Sequence, residues 1–267
     1  MTSRTVKLCA AGIAGTISCI SAPALAQPSS SGYVGLSFET RDVNLGPVDG
    51  DGSTIRGDGA FVVGLGGKFN LQVDAAYSRT DWNNLGHPLG DQGAFTGGAH
   101  LFYRNDHFSA GIFAAYAKLG QEAGPNDSRI GGGIEANAYI GPVSLGAVYA
   151  RIDAKGPFGS DLQGVDVTAR AFASDNLEIR AKYSYADVDF PGFDIGPRGM
   201  SLSAEYQPKK LPFSFEAGVA RQRIGDFDVT FRSVFVGLRY NFGTHTLKQR
   251  DREGASAQHV AELLFPR

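Results

Sequence analysis

Phe69-Asn70-Leu71-Gln72-Val73-Asp74-Ala75-Ala76-Tyr77-Ser78-Arg79 alternates apolar and polar residues almost without a break. A β-strand turns successive side chains to opposite faces, so Phe69, Leu71, Val73, Ala75 and Tyr77 share one face. Asn70, Gln72, Asp74 and Ser78 share the other. The preceding Gly67-Lys68 is a tight turn, and Gly57–Gly66 is a second segment of the same kind, so the pair reads as a hairpin.

Working outward, the chain resolves into twelve such segments. The first six are Gly32–Arg41, Gly57–Gly66, Phe69–Thr80, Gln92–Tyr103, His107–Leu119 and Ser128–Ile140. The second six are Pro142–Asp153, Asp161–Ala173, Leu177–Ala186, Arg198–Tyr206, Pro212–Ile224 and Phe231–Phe242. A solvated antiparallel sheet has the same period of two, so alternation alone does not require lipid. The connections add a direction. Even-numbered segments end in tight turns such as Arg104-Asn105-Asp106 and Ser174-Asp175-Asn176, whereas odd-numbered ones end in longer polar stretches rich in Gly and Asp. An all-β, closed antiparallel up-and-down transmembrane β-barrel of about twelve strands fits this rhythm, since closure satisfies every backbone group without water.

The last segment, Val234-Phe235-Val236-Gly237-Leu238-Arg239-Tyr240-Asn241-Phe242, resembles the terminal strand of the Gram-negative outer-membrane β-barrels of porin type. Gly237, Tyr240 and Phe242 match the signal by which such barrels are recognised for insertion. The resemblance implies contact with the barrel-assembly machinery, short turns in the periplasm and long loops outside. The chain departs from the pattern by continuing through Gly243–Arg267.

Residues 1–26 read as a signal peptide: Arg4 and Lys7 precede an apolar stretch Leu8–Ile20 and the small-residue site Ala24-Leu25-Ala26. Cleavage there exports the chain through the inner membrane and leaves residues 27–243 as the barrel and 244–267 as a periplasmic C-terminal extension. Cys9 and Cys19 both lie in the leader, so the mature chain has no thiol chemistry. Mean hydropathy is −0.14, low because lipid-facing and lumen-facing residues cancel. An aromatic belt is drawn near the short-turn end by Phe69, Tyr103, Phe108, Tyr206, Phe213, Tyr240 and Phe242.

Charge is unevenly placed. The six stretches 42–56, 81–91, 120–128, 154–161, 187–197 and 225–230 hold thirteen acidic residues against Arg56 and Lys155. That predicts an acidic outer mouth that enriches cations. Asp49-Gly50-Asp51-Gly52 has carboxylates suited to Ca²⁺ but no EF-hand pattern, and solvated loops account for it more simply.

Two sets of residues stand out. Tyr77/Arg79, Tyr116/Lys118 and Tyr149/Arg151 each close an odd-numbered strand, with Val219/Arg221 a degenerate fourth. A tyrosine at the interface with a cation one step beyond it is built to clamp outer-leaflet headgroups, lipopolysaccharide phosphates being the expected ligand. An ordinary girdle beside a solvated strand end would look the same. In the lumen, Arg170, Arg180, Lys182 and Arg239 face acids that include Asp166 and Glu178, and reflection about Asp175 sets Arg170 opposite Arg180. That basic patch is the candidate constriction; the alternative is a set of lumen-filling salt bridges.

His100 points at the lumen with no evident triad, and no phosphate-binding Gly loop or zinc cluster is present. No catalytic residue, metal or cofactor is therefore expected, and no basic stripe supports nucleic-acid binding. The tail 244–267 reads as mobile, with Val260, Ala261 and Leu264 on one face of a brief helix; peptidoglycan contact, a periplasmic plug and partner binding stay open. The expected function is passive diffusion of small hydrophilic solutes or ions. A non-conducting structural or lipid-binding barrel is the alternative, and an outer-membrane lipid hydrolase the third reading. Assembly into a homo-oligomer is left open by the sequence.

Overall fold

The computed structural model describes residues 30–44, 49–83, 92–121, 127–155, 161–190, 193–225 and 229–255. The leader, the cleavage site, His87 and the 256–267 segment lie outside them. The strands are β1 (Ser30–Asn44), β2 (Asp49–Gly66), β3 (Phe69–Asn83), β4 (Gln92–Arg104), β5 (Phe108–Gln121), β6 (Asp127–Ile140) and β7 (Val143–Lys155). They continue with β8 (Asp161–Ser174), β9 (Leu177–Phe190), β10 (Phe193–Ile195), β11 (Pro197–Tyr206), β12 (Phe213–Ile224) and β13 (Val229–Phe242). The three-residue β10 pairs with β9 just beyond β11 and belongs to the same wall position, so the wall has twelve strands.

Every neighbour in the ring is antiparallel, and two pairings close it: β1 with β13 from Gly32↔Phe242 to Asn44↔Thr230, and β8 with β9 from Asp161↔Asp189 to Ser174↔Leu177. No backbone edge is left along the wall. All twelve expected segments are present, and the register holds Arg170 opposite Arg180 as reflection about Asp175 requires.

The strands run further at the long-loop end than polarity suggested. Residues 49–56 belong to β2, paired to β1, and β3 continues to Asn83. Gly- and Asp-rich sequence was read as loop because it is polar, but ladder hydrogen bonds are indifferent to side-chain polarity beyond the lipid band. Asp42, Asp49, Asp51 and Asp81 therefore stand on strands, and Arg56 is buried inside the barrel.

The wall is apolar outside and polar inside. Val34, Leu36, Ile112, Ile134, Met200 and Leu202 are exposed outward, whereas Gln72, His100, Glu178 and Glu205 are buried inward. Such an exterior suits lipid, not water. The short-turn end carries the aromatic belt as contacting rings. Phe69, Tyr103 and Phe108 follow one another at 5.7 Å, and Phe213, Tyr240, Phe242 and Phe61 at 5.3–6.4 Å. Inward glycines make room for large neighbours: a Cβ on Gly218 would lie 2.5 Å from the Phe235 ring.

Beyond β13 the chain turns back. Gly243 has φ +76, and a Cβ there would meet the Ser30 carbonyl oxygen at 2.3 Å, so only glycine fits. The helix α1 (Leu247–Glu253) follows. Thr246 caps it by accepting the Gln249 N–H at 3.0 Å, while the Gln249 side chain accepts the His245 N–H at 2.9 Å. Leu247, Arg250 and Asp251 are buried, which corrects the expectation of a mobile tail for residues 244–255.

Candidate functional site

Three groups of interior charge bear on the candidate site, each assembled from inward-facing residues of several strands. The largest joins β9, β11, β12, β13 and α1. Arg180 lies 2.7 Å from Glu178, 3.5 Å from Glu216 and 3.7 Å from Glu205. Arg239 bonds Glu205 and Glu216, each at 2.9 Å. Arg250 enters from α1, donating to Glu205 at 2.6 and 2.8 Å and to the Asn241 side chain at 2.8 Å. Three guanidiniums thus meet three carboxylates. Ser203 and Ser214 donate to Glu216 and Glu205, and the Tyr33 ring lies 5.3 Å from the Arg239 guanidinium and 5.7 Å from that of Arg250.

Burial by itself would weaken the protonated Arg250. The Glu205 carboxylate outweighs that, and the Arg250 pKa is raised above its ordinary value. A buried pair of this kind contributes little net stability, but removing one partner costs about 3–5 kcal/mol.

The second group centres on the neighbouring strands β7, β8 and β9. Asp251 of α1 accepts from Ser144 and from Arg170, the latter at 2.8 Å, and Lys182 lies 3.0 Å from Asp166. Arg252 donates to the carbonyls of Gly141 and Val143 at 3.1 and 3.0 Å. Arg104 donates to the Gly254 carbonyl, and Ala255 packs with Ala60, Val62 and Phe102. Residues 247–255 thereby reach β2, β4, β7, β8, β11 and β13, and so lie across the short-turn mouth.

The third group is His100, between Asp74 (2.7 Å from Nε2) and Glu135 (3.1 Å from Nδ1), its ring stacked on Phe113. Each ring nitrogen of His100 thus faces a carboxylate oxygen.

All six constriction candidates face inward and are ion-paired. Arg180, Glu178 and Arg239 come together; Lys182 and Asp166 form a pair; Arg170 is drawn away to Asp251. The opposed Arg170 and Arg180 thus each turn to acids.

The headgroup candidates have unequal surroundings. Tyr77, Tyr116 and Tyr149 do face outward. Arg79, however, lies 3.3 Å from Asp81 and Arg151 3.8 Å from Asp153. Lys118 is exposed on β5 between Phe95 of β4 and Ser128 of β6, so no cation stands directly opposite it on either neighbouring strand. The repeat in sequence thus yields two self-neutralised arginines and one isolated ammonium, because the residues flanking each cation differ.

Gly237, Tyr240 and Phe242 stand on β13 in the closing pair with β1. Sequence reasoning missed Arg250 and Asp251 and the carboxylates beside His100. The Thr246-Leu247-Lys248-Gln249 capping box was the available signal for α1.

No protein-family model matches the chain, and no curated protein sequence matches it. Solved structures do. The COG4313 outer membrane channel from Pseudomonas putida F1 aligns with 82% of this chain and 97% of its own, at 12% identity and TM-score 0.63. The beta domain of the Bordetella autotransporter BrkA covers 79% of this chain and 100% of its own, at 10% identity and TM-score 0.54. The translocator domain of the autotransporter NalP from Neisseria meningitidis covers 80% and 88%, at 11% identity and TM-score 0.51. The chain has the outer-membrane β-barrel fold. At these identities the likeness concerns the fold alone, and the contents of this lumen are its own.

Proposed function

We propose that this protein is a narrow outer-membrane channel for small hydrophilic solutes or ions, closed in the observed conformation by α1 at the periplasmic mouth. The observation that carries the reading is that a polar, charge-lined lumen is crossed at its short-turn end by a segment outside the wall. α1 is held mainly by ion pairs and hydrogen bonds, so its departure would leave the barrel ring intact. The COG4313 protein, a channel that aligns over 97% of its length, supports the same reading. Export by the N-terminal leader and insertion through the last strand belong to this proposal.

A non-conducting barrel is the second reading, favoured by the dense packing of Gln72, His100, Glu178, Glu205 and Asn241. The proposal is non-enzymatic: both His100 nitrogens are taken by carboxylates, and the lumen encloses the ring away from lipid. Planar-bilayer recordings of the refolded full chain and of a chain ending at Gly243 separate these readings. A channel predicts rare or small conductance steps from the former and stable ohmic steps from the latter. Silence from both, with an intact fold, would leave the non-conducting reading.

A further inference from the structure

The outer wall carries a cluster of cations unlike the rest of its surface. Arg198, Arg221, Arg223 and Arg232 stand exposed on three adjacent strands, β11, β12 and β13. The register sets Arg198 directly opposite Arg223, and Arg221 directly opposite Arg232. Like charges facing each other across a sheet repel, so two such pairs side by side favour an anion between them. Among the described residues, two acids border the cluster: Asp42, in register with Arg232, and Asp187, one outward step beyond Tyr185. The Arg198 guanidinium lies over the Tyr185 ring at 5.6 Å, which holds it against the wall.

The cluster also has the right height. Tyr206 and Arg198, Phe213 and Arg221, and Tyr240 and Arg232 are each eight residues apart on their strands. At roughly 3.3 Å per residue and a tilt of about 40°, that is about 20 Å of vertical rise. Outer-membrane barrels present an apolar band about 25 Å tall, so arginines reaching past the wall arrive at the far interface.

Immediately on the lipid side of these arginines the wall is concave. A groove of about 590 Å³ is lined by Ala181, Met200, Leu202, Val219 and Val234, with Arg221 and Arg232 at its edge. The small Ala181 leaves the space that its larger neighbours surround.

We infer that β11–β13 form a binding site for a phosphorylated, multiply acylated glycolipid of the outer leaflet, its phosphates on the four arginines and an acyl chain in the groove. Charge complementarity selects the headgroup, because guanidiniums gathered at one level of the wall bond phosphate in bidentate geometry. The groove selects an acylated ligand over free phosphate. The site replaces the three tyrosine–cation pairs as the lipid clamp. Arg79 and Arg151 have acidic neighbours two residues along the same face, and Lys118 offers one point charge without a cationic partner across the strand. The inference rests on the barrel spanning the outer membrane and is independent of conduction.

The test is lipid binding to the detergent-refolded full chain, read by native mass spectrometry. The probes are bisphosphorylated lipid A, dephosphorylated lipid A with the same acyl chains, and phosphatidylglycerol. The wild type is expected to retain bisphosphorylated lipid A preferentially. The variant R198Q/R221Q/R223Q/R232Q should bind it at least about tenfold more weakly, the scale of losing several charge-assisted bonds. R79Q/K118Q/R151Q should match the wild type. Ala181→Phe fills the groove without changing charge and should also weaken binding, which keeps the test open if the fourfold variant does not refold. Binding by the fourfold and Ala181→Phe variants within about twofold of the wild type, or equal retention of dephosphorylated lipid A or phosphatidylglycerol, would overturn the site. Membrane fractionation of the same cells reports the location separately.

Discussion

Replacing Arg250 by Ala asks whether α1 closes the lumen or merely rests against it. Arg250 makes three bonds of 2.6–2.8 Å to Glu205 and Asn241. Truncating one member of a buried ion pair costs about 3–5 kcal/mol. The lower end applies, because Glu205 keeps Arg239 at 2.9 Å and is not left uncompensated. About 3 kcal/mol corresponds to roughly a hundredfold rise in the undocked population of α1. Trypsin reads that population directly when docking is fast relative to cleavage. Lys248 and Arg252 remain as cleavage sites in the variant and are held in the docked helix. The refolded R250A chain should therefore lose its tail about a hundredfold faster than the wild type, as timed by mass spectrometry, and bilayer openings should become more frequent. A rise of less than about threefold would refute the role assigned to Arg250.

Gly243→Ala should act in the same direction, because a Cβ at φ +76 collides with the Ser30 carbonyl; faster tail cleavage without loss of the barrel is the expected result. Arg239→Met strips one partner from Glu205, which keeps Arg250, and from Glu216, which keeps Arg180, and should lower the unfolding free energy in detergent by about 3 kcal/mol. Urea titration followed by the fluorescence of Trp82 measures it, and an unshifted midpoint would contradict the network. His100→Ala leaves Asp74 and Glu135 without the ring between them and should destabilise by a similar amount; adding Asp74→Asn and Glu135→Gln should restore part of the loss. The raised pKa of Arg250 has a definite sign. Its stabilisation is complete below the ordinary arginine value and fades only above it, so trypsin protection of α1 should hold from about pH 6 to about pH 10.

How far the sequence alone reached can be judged residue by residue. Alternation in Phe69–Tyr77 told which side chains face lipid and which face inward, because a period of two leaves one choice of parity per strand. Reflection about Asp175 foresaw Arg170 opposite Arg180, a register reached through the turn at Asp175-Asn176 together with a bulge between Phe172 and Ser174. Ring order, strand number and the aromatic belt followed from the same local rules. Residues 49–56 were misread because polarity marks exposure to water, not the absence of backbone pairing. The Tyr-x-cation repeat was legible too, but not that Arg79 and Arg151 would turn to acids while Lys118 stood apart from them.

What decided the site was non-local. Whether Arg170, Arg180 and Arg239 form an open basic patch depends on acids up to two strands away and on a helix that starts after the barrel ends. Asp251 meets Arg170 across 81 residues of sequence, and Arg250 meets Glu205 across 45. No periodicity encodes such meetings, since they arise only when the closed ring brings opposite walls and the returning tail into one enclosed volume. The chain's alternation thus determined a wall that lipid can tolerate; closure of that wall in space determined how its interior charges are matched.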